Sequence, residues 1–220
     1  MKDSKAFKPE AVIFDMDGLM LDTERPMISV WVEAGKNIGW EIKEETAVHT
    51  IGLNRNDIRK LCMNELGAGF PYNKFNNELH RLFDEEFKKG IAHKPGLIQL
   101  LNHLASIKMP LAVGTSSRKK AALWKLEKAG IADRFSYVIG GDEVENGKPA
   151  PDIFLKAAEK LGVPPELCVG FEDSAAGLKA LAEAGIASIF IKDLVEPPDW
   201  ILSTVWRRLE NLAEAVPLFS

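Results

Sequence analysis

Asp15-Met16-Asp17-Gly18 sets two carboxylates two residues apart, directly behind the apolar run Ala11–Phe14. On an extended chain, side chains at i and i+2 point to the same side. Two such acids repel each other unless a cation or a proton lies between them. Hard carboxylate oxygens suit Mg2+, which takes one or two carboxylates together with water and phosphate oxygens. An acidic turn closed by Gly18 accounts for these four residues equally well when they are taken alone. Three further segments carry similar chemistry. Thr115-Ser116-Ser117 follows Leu111–Gly114 and opens a helical stretch, where hydroxyls and backbone N–H groups make an anion site. The alternative there is an ordinary helix cap at Ser117. Gly147-Lys148-Pro149-Ala150-Pro151 places a lysine in a stiff loop ahead of a helix, a position that otherwise reads as solvated. Glu172-Asp173-Ser174, behind the run Leu167–Phe171, is a second acidic pair at a helix start, with Asp173 or Ser174 as plain caps in the alternative reading.

These residues need a frame that brings them together. Ala11–Phe14, Leu111–Gly114, Tyr137–Gly140, Leu167–Phe171 and Ala187–Ile191 are short and apolar throughout, as strands buried on both faces of a parallel sheet are. The stretches between them read as helices. Those from Arg118 to Ala129, Ile153 to Leu161 and Ala175 to Ala184 each end at a glycine, Gly130, Gly162 and Gly185. Strands alternating with capped helices predict an α/β fold, a doubly wound parallel sheet. In such sheets ligands gather beyond the carboxyl ends of the strands, and all four segments stand at strand ends or at the loop before a helix. From about Thr23 to Gly90 the alternation stops. Helical stripes replace it: Ile28, Trp31 and Val32, then Ile58, Leu61, Cys62 and Leu66, then Phe75, Leu79, Leu82, Phe83 and Phe87. A block this long between the first two strands predicts an inserted all-helical cap, residues 22–91, on a core made of residues 1–21 and 92–220. Hinges are expected near Leu21–Pro26 and Gly90–Gly96. Trp200–Val205 reads as a last strand and Arg207–Val216 as a closing helix.

Composition narrows the function classes. With 28 Lys+Arg against 32 Asp+Glu in 220 residues, the net charge of −4 gives no basic field for nucleic acid or an anionic membrane. No run approaches the roughly 20 apolar residues of a membrane span, and the four apolar residues ahead of Asp15 are too few for a signal-peptide core. Cys62 and Cys168 make no disulfide framework. The expectation is a cytoplasmic monomer. Gly141 to Lys148 is one residue too long for a phosphate-binding P-loop, and Pro149 stands where Ser or Thr is required. His49, His80, His93 and His103 lack zinc-site spacing and read as surface or loop residues, and Phe75, Phe83 and Phe87 read as cap core.

Taken in order, the segments resemble the four motifs of the haloacid dehalogenase-like superfamily of phosphotransferases, in the branch of β-phosphoglucomutase and small sugar-phosphate phosphatases. Asp15-Met16-Asp17-Gly18-Leu19-Met20-Leu21-Asp22 stands for the first, Thr115 for the second, Lys148-Pro149-Ala150-Pro151-Asp152 for the third and Glu172-Asp173-Ser174-Ala175-Ala176-Gly177 for the fourth. The resemblance covers nearly the whole chain, and the helical insertion matches that branch's cap. It implies phosphoryl transfer through an aspartyl-phosphate, with Asp15 as nucleophile and Asp17 as general acid and base. It implies Mg2+ on Asp15, the backbone carbonyl of Asp17 and Asp173, with Glu172 a direct or outer ligand. Thr115, Ser116 and Lys148 would hold the phosphoryl oxygens, and Glu24 and Arg55 would meet substrate from the cap. Two departures matter. Met27 stands where the mutases carry His, and Asp22-Thr23-Glu24-Arg25-Pro26 is similar to the hinge of the phosphatases. Asp17 argues against a true dehalogenase. The implied enzyme is a Mg2+-dependent phosphatase of a small phosphorylated metabolite, a sugar or polyol phosphate. A phosphosugar mutase and a non-catalytic binding protein on the same fold are the alternatives.

Overall fold

The computed structural model describes residues 7–51, 53 and 55–220, the Arg55 side chain excepted. Six parallel strands form one sheet: β1 (Ala11–Phe14), β2 (Leu111–Gly114), β3 (Tyr137–Ile139), β4 (Cys168–Glu172), β5 (Ala187–Ile191) and β6 (Arg207–Leu209), in the order β3-β2-β1-β4-β5-β6. β1 is central, with Val12 opposite Leu111 on one side and Val169 on the other.

Alternate side chains of β1 feed two cores, which is why its sequence is apolar throughout. Val12 and Phe14 join Val113, Phe171 and Leu126 on one face, while Ala11 and Ile13 join Phe154, Ala157 and Leu181 on the other. Phe14 stacks on Phe171 with ring centroids 4.9 Å apart. The covering helices are α5 (Leu97–Ser106) and α6 (Lys119–Lys128) on the first face, and α7 (Asp152–Leu161) and α8 (Ala175–Glu183) on the second. Strand order reverses beside β1, so its carboxyl end and that of β4 lie at the crevice where such sheets take ligands. No described helix is long and apolar enough to cross a membrane.

Between β1 and α5 come four α-helices and no strand among the described residues: α1 (Glu24–Ile38), α2 (Glu44–Val48), α3 (Arg55–Glu65) and α4 (Tyr72–Glu86). They hold a separate apolar cluster that includes Trp31, Ala34, Cys62, Phe75 and Leu82. The expected aromatic stripe divides. Phe75 packs edge-on to Trp31, whereas Phe83 and Phe87 turn toward the α/β body and Phe83 lies 5.7 Å from Trp124 of α6. The two segments that tie these helices to the sheet run side by side, with Asp22 N–H donating to Ala92 O and Lys94 N–H to Met20 O, both at 2.9 Å.

The C-terminal reading is corrected. Trp200–Val205 is not a strand, because Pro198 and Asp199 start a short helix, Asp199–Leu202, that buries Ile201 against Leu178 and Phe190. The sixth strand is Arg207–Leu209, an edge strand whose arginines face solvent. The closing segment Leu212–Phe219 is a 3-10 helix rather than an α-helix, and Pro217 within it has no N–H for the α-helical ladder.

Candidate active site

The first motif turns sharply after β1. Asp15 N–H still donates to Phe171 O at 3.0 Å, and the chain then doubles back, with Gly18 N–H on Leu21 O at 3.0 Å. Gly18 has φ +81°, and a Cβ there would stand 2.4 Å from Asp173 Oδ2 and 3.0 Å from Glu24 Oε2. Glycine therefore meets a conformational need and leaves room for two carboxylates, those of Glu24 and Asp173. The turn and the acidic site are one structure, and the two readings of this motif do not exclude each other.

Lys148 is not a solvated loop residue. Its side chain is 3% exposed, and Nζ donates to Asp15 Oδ1 and to Glu172 Oε1, each at 2.5 Å. The second oxygen of Glu172 accepts from Asp173 N–H at 2.9 Å, Ser174 N–H at 2.9 Å and Ser174 Oγ at 3.0 Å. Both Glu172 oxygens are thus committed to protein donors. Room for them comes from Gly177, since a Cβ there would lie 1.6 Å from Glu172 Oε1. Ser174 is the N-cap of α8, accepting from Gly177 N–H, so the cap reading holds for Ser174. It does not hold for Asp173, whose buried carboxylate has no hydrogen-bond or ion-pair partner among the described residues and lies beside Asp15 and Glu172.

Thr115 is buried at the end of β2, its N–H on Ile139 O and its Oγ1 accepting from Ser117 N–H at 3.1 Å. Ser117 is not the cap of α6, a position taken by Arg118. Its hydroxyl instead donates to Asp17 Oδ2 at 2.9 Å. Asp17 also accepts from Thr23 Oγ1 at 2.7 Å and from Lys125 Nζ at 2.7 and 2.8 Å.

These surroundings push the two acids of the first motif apart. Burial drives the Asp15 carboxyl up to about 7, the neighbouring Lys148 offsetting part of that rise and Glu172 and Asp17 adding to it. Burial would raise Asp17 as well, but the Lys125 ammonium with the Thr23 and Ser117 hydroxyls holds it below the usual carboxylate range. Burial, then the charges of Glu172 and Asp15, lift Asp173 well above that range. Buried acids gathered without enough cations suit a metal.

A cavity of about 500 Å3 opens over these residues. Asp15, Asp17, Thr115, Ser116, Lys148 and Asp173 form its polar floor; Met27, Trp31, Leu79 and Phe83 from the helical insertion are among its walls. Glu24 lies at the floor rather than on the far wall, with Oε2 buried and without a partner among the described residues. Arg55 opens α3, and its side chain lies outside the described residues. His80 is exposed, as expected, and also lines the cavity. His49 pairs with Glu65, and His93 bonds Ala129 O. Sequence reasoning missed Lys125 as a partner of Asp17, because one lysine in an amphipathic helix gives no signal. It also missed Asp193, just past β5, which accepts from Lys94 at 2.5 Å and from Arg25 at 2.7 Å.

A family model described as haloacid dehalogenase-like hydrolase matches residues 9–185. The phosphorylated carbohydrates phosphatase of Thermotoga maritima is 32% identical over 181 residues, covering 82% of this chain and 84% of that protein. The fructose-1-phosphate phosphatase YqaB of Escherichia coli is 30% identical over 189 residues, covering 82% and 95%. Among solved structures, CbbY of Rhodobacter sphaeroides in complex with xylulose-(1,5)bisphosphate superposes with a TM-score of 0.76 at 26% identity, covering 94% of this chain and 96% of that one.

Proposed function

This chain belongs to the haloacid dehalogenase-like hydrolase family and is a phosphatase, and from that premise we propose that it dephosphorylates a small sugar or polyol phosphate through a phosphoenzyme formed on Asp15. One observation carries the reading: Asp15, Asp17, Thr115, Lys148 and Asp173, from four separate chain segments, share the floor of one cavity. Relatives named for phosphorylated carbohydrates and for fructose 1-phosphate support the substrate class.

In the first half-reaction an Asp15 oxygen attacks phosphorus and the bond from phosphorus to the ester oxygen breaks. Asp17 gives that oxygen a proton. In the second, water attacks the phosphorus on Asp15 while losing a proton to Asp17, and the bond from phosphorus to Asp15 breaks to release phosphate. Lys148, the Thr115 hydroxyl and the Ser116 N–H hold the transferring oxygens. Asp173 fits a hard cation, being a 6%-exposed carboxylate that no protein cation neutralises among the described residues. With Asp15 and the Asp17 carbonyl it would hold Mg2+, which when bound balances charge on the phosphoryl oxygens. Glu172, with both oxygens already bonded, orients Lys148 and the turn at Asp173. Residues 22–91 act as a cap hinged beside Asp22 and Ala92. The free, buried Cys62 and Cys168 suit a reducing compartment, and a cytoplasmic monomer is part of the proposal.

The test is phosphate release from a panel of phosphorylated sugars and polyols with Mg2+ and with EDTA, using the wild type and Asp15→Asn. Release that needs Mg2+ and vanishes in Asp15→Asn supports the reading. Turnover that persists in Asp15→Asn sinks the covalent route.

A further inference from the structure

Asp173 belongs to two groups of acids. In one its partners are Asp15 and Glu172; in the other, one carboxylate oxygen each from Glu24, Asp173 and Asp193 lie within 4.8 Å of one another. Two residues of the second group each carry a buried oxygen, Glu24 Oε2 and Asp193 Oδ2, with no hydrogen-bond partner among the described residues. The Asp193 side chain is only 2% exposed, and both of its cations, Lys94 and Arg25, sit on Oδ1 and leave Oδ2 bare. Glu24 Oε2 gathers with Asp173 Oδ2 over the Cα of Gly18. A buried carboxylate oxygen without a donor is costly. Two of them flanking a third buried acid call for a shared source of protons that no described side chain supplies.

We propose that Glu24 and Asp193 are the outer acceptors of the metal site, taking hydrogen bonds from water bound to a divalent cation on Asp15 and Asp173. The assignment rests on the reading above that a cation binds there. Mg2+ keeps several of its waters when it binds protein, and those waters need acceptors on the side away from the phosphoryl group. Glu24 is therefore a metal-site residue rather than a contact for the sugar. Asp193 has a second consequence. Lys94 and Arg25 lie on the two segments that attach the helical insertion, so the same carboxylate that faces the metal site also ties down both attachments.

The experiment is Mn2+ binding to the metal-free full-length protein without substrate, read from the free Mn2+ signal by electron paramagnetic resonance, with competition by Mg2+. Glu24→Gln and Asp193→Asn are each expected to weaken binding on the order of 10- to 100-fold, the scale for removing an outer partner of a metal ligand. Glu24→Gln should melt at an equal or higher temperature than wild type in EDTA, because it removes one of three crowded acids, yet gain less from added Mn2+. Asp173→Asn is the control for the underlying reading: undiminished Mn2+ binding there would remove the metal site itself. Binding lost in Asp173→Asn but unchanged in Glu24→Gln would overturn the present assignment and leave Glu24 and Asp193 sharing a proton. Should Asp193→Asn melt below the assay temperature, Glu24→Gln alone decides.

Discussion

Lys125 Nζ, from the buried side of α6, donates to both carboxylate oxygens of Asp17, at 2.7 and 2.8 Å. With Thr23 Oγ1 and Ser117 Oγ, it fills the four acceptor positions that an ionised carboxylate offers. For Asp17 to protonate a leaving group, one of those bonds must open while the others hold the carboxylate in place. Lys125 also has the Phe83 ring of the helical insertion 5.5 Å away, so this anchor lies where the insertion meets the α/β body.

A positioning role for Lys125 has a signature in the leaving group. Lys125→Met should lower kcat/KM for a sugar phosphate by roughly 10-fold, a fraction of what general acid help is worth, but change p-nitrophenyl phosphate by less than about 3-fold, since that leaving group needs little protonation. Asp17→Asn should show the same contrast at larger scale, on the order of 10²–10⁴-fold for the sugar phosphate. Equal losses on both substrates in Lys125→Met would mean that the lysine only supports the fold.

Lys148 serves two acids, so its removal should be felt in stability as well as rate. Lys148→Met leaves Asp15 and Glu172 buried without their common cation. In metal-free protein this should cost about 3–5 kcal/mol, as expected for stripping one partner from a buried pair. With Mg2+ present the rate should still fall by roughly 10²–10³-fold, the scale for losing one electrostatic stabiliser of the transition state. Urea unfolding in EDTA and initial-rate kinetics measure the two effects. A variant with wild-type stability and rate would make this loop a spacer.

The strands that carry the site were legible because β1, β2 and β4 are buried on both faces and so are apolar at every position. Three of the four polar segments then stood out at the ends of those strands, and the fourth, around Lys148, in the loop before α7. Less legible was anything decided by long-range packing. Lys125 and Asp193 lie 108 residues from Asp17 and 99 from Lys94 respectively, and neither carries a local pattern. Ser117 reads as a cap because its sequence neighbours cannot reveal that Asp17 takes its hydroxyl. The C-terminal strand was misplaced because an exposed edge strand, Arg207–Leu209, lacks the apolar run that marks the inner ones.

Gly18 offers a test of how closely the acids are packed. Gly18→Ala must adopt φ +81°, a left-handed conformation that costs a side-chain-bearing residue about 1–2 kcal/mol. The added Cβ would also stand 2.4 Å from Asp173 Oδ2, which has to move. Loss of Mn2+ affinity and of turnover should therefore exceed what the fall in melting temperature explains. Full affinity with only a lowered melting temperature would show that Gly18 matters for the turn alone.

The choice between hydrolysis and isomerisation turns on what the insertion places over Asp15. Met27 of α1 lines the cavity, and a thioether can neither donate nor accept a strong hydrogen bond to order a second phosphosugar. A mutase has to shield its aspartyl-phosphate from water until the sugar returns, whereas a phosphatase must admit one water beside Asp17. The insertion is joined by two paired segments, bonded through Asp22 N–H to Ala92 O, so it can move as one body on short hinges. With an apolar Met27 at that wall, the phosphoenzyme should hydrolyse faster than it transfers. The measurement is β-glucose 1-phosphate incubated with enzyme, Mg2+ and catalytic glucose 1,6-bisphosphate, following glucose 6-phosphate and free phosphate together. Phosphate should appear without build-up of the isomer, from this or another small phosphosugar. Isomer formed much faster than phosphate would make the protein a mutase and would require some group other than Met27 to protect the phosphoenzyme.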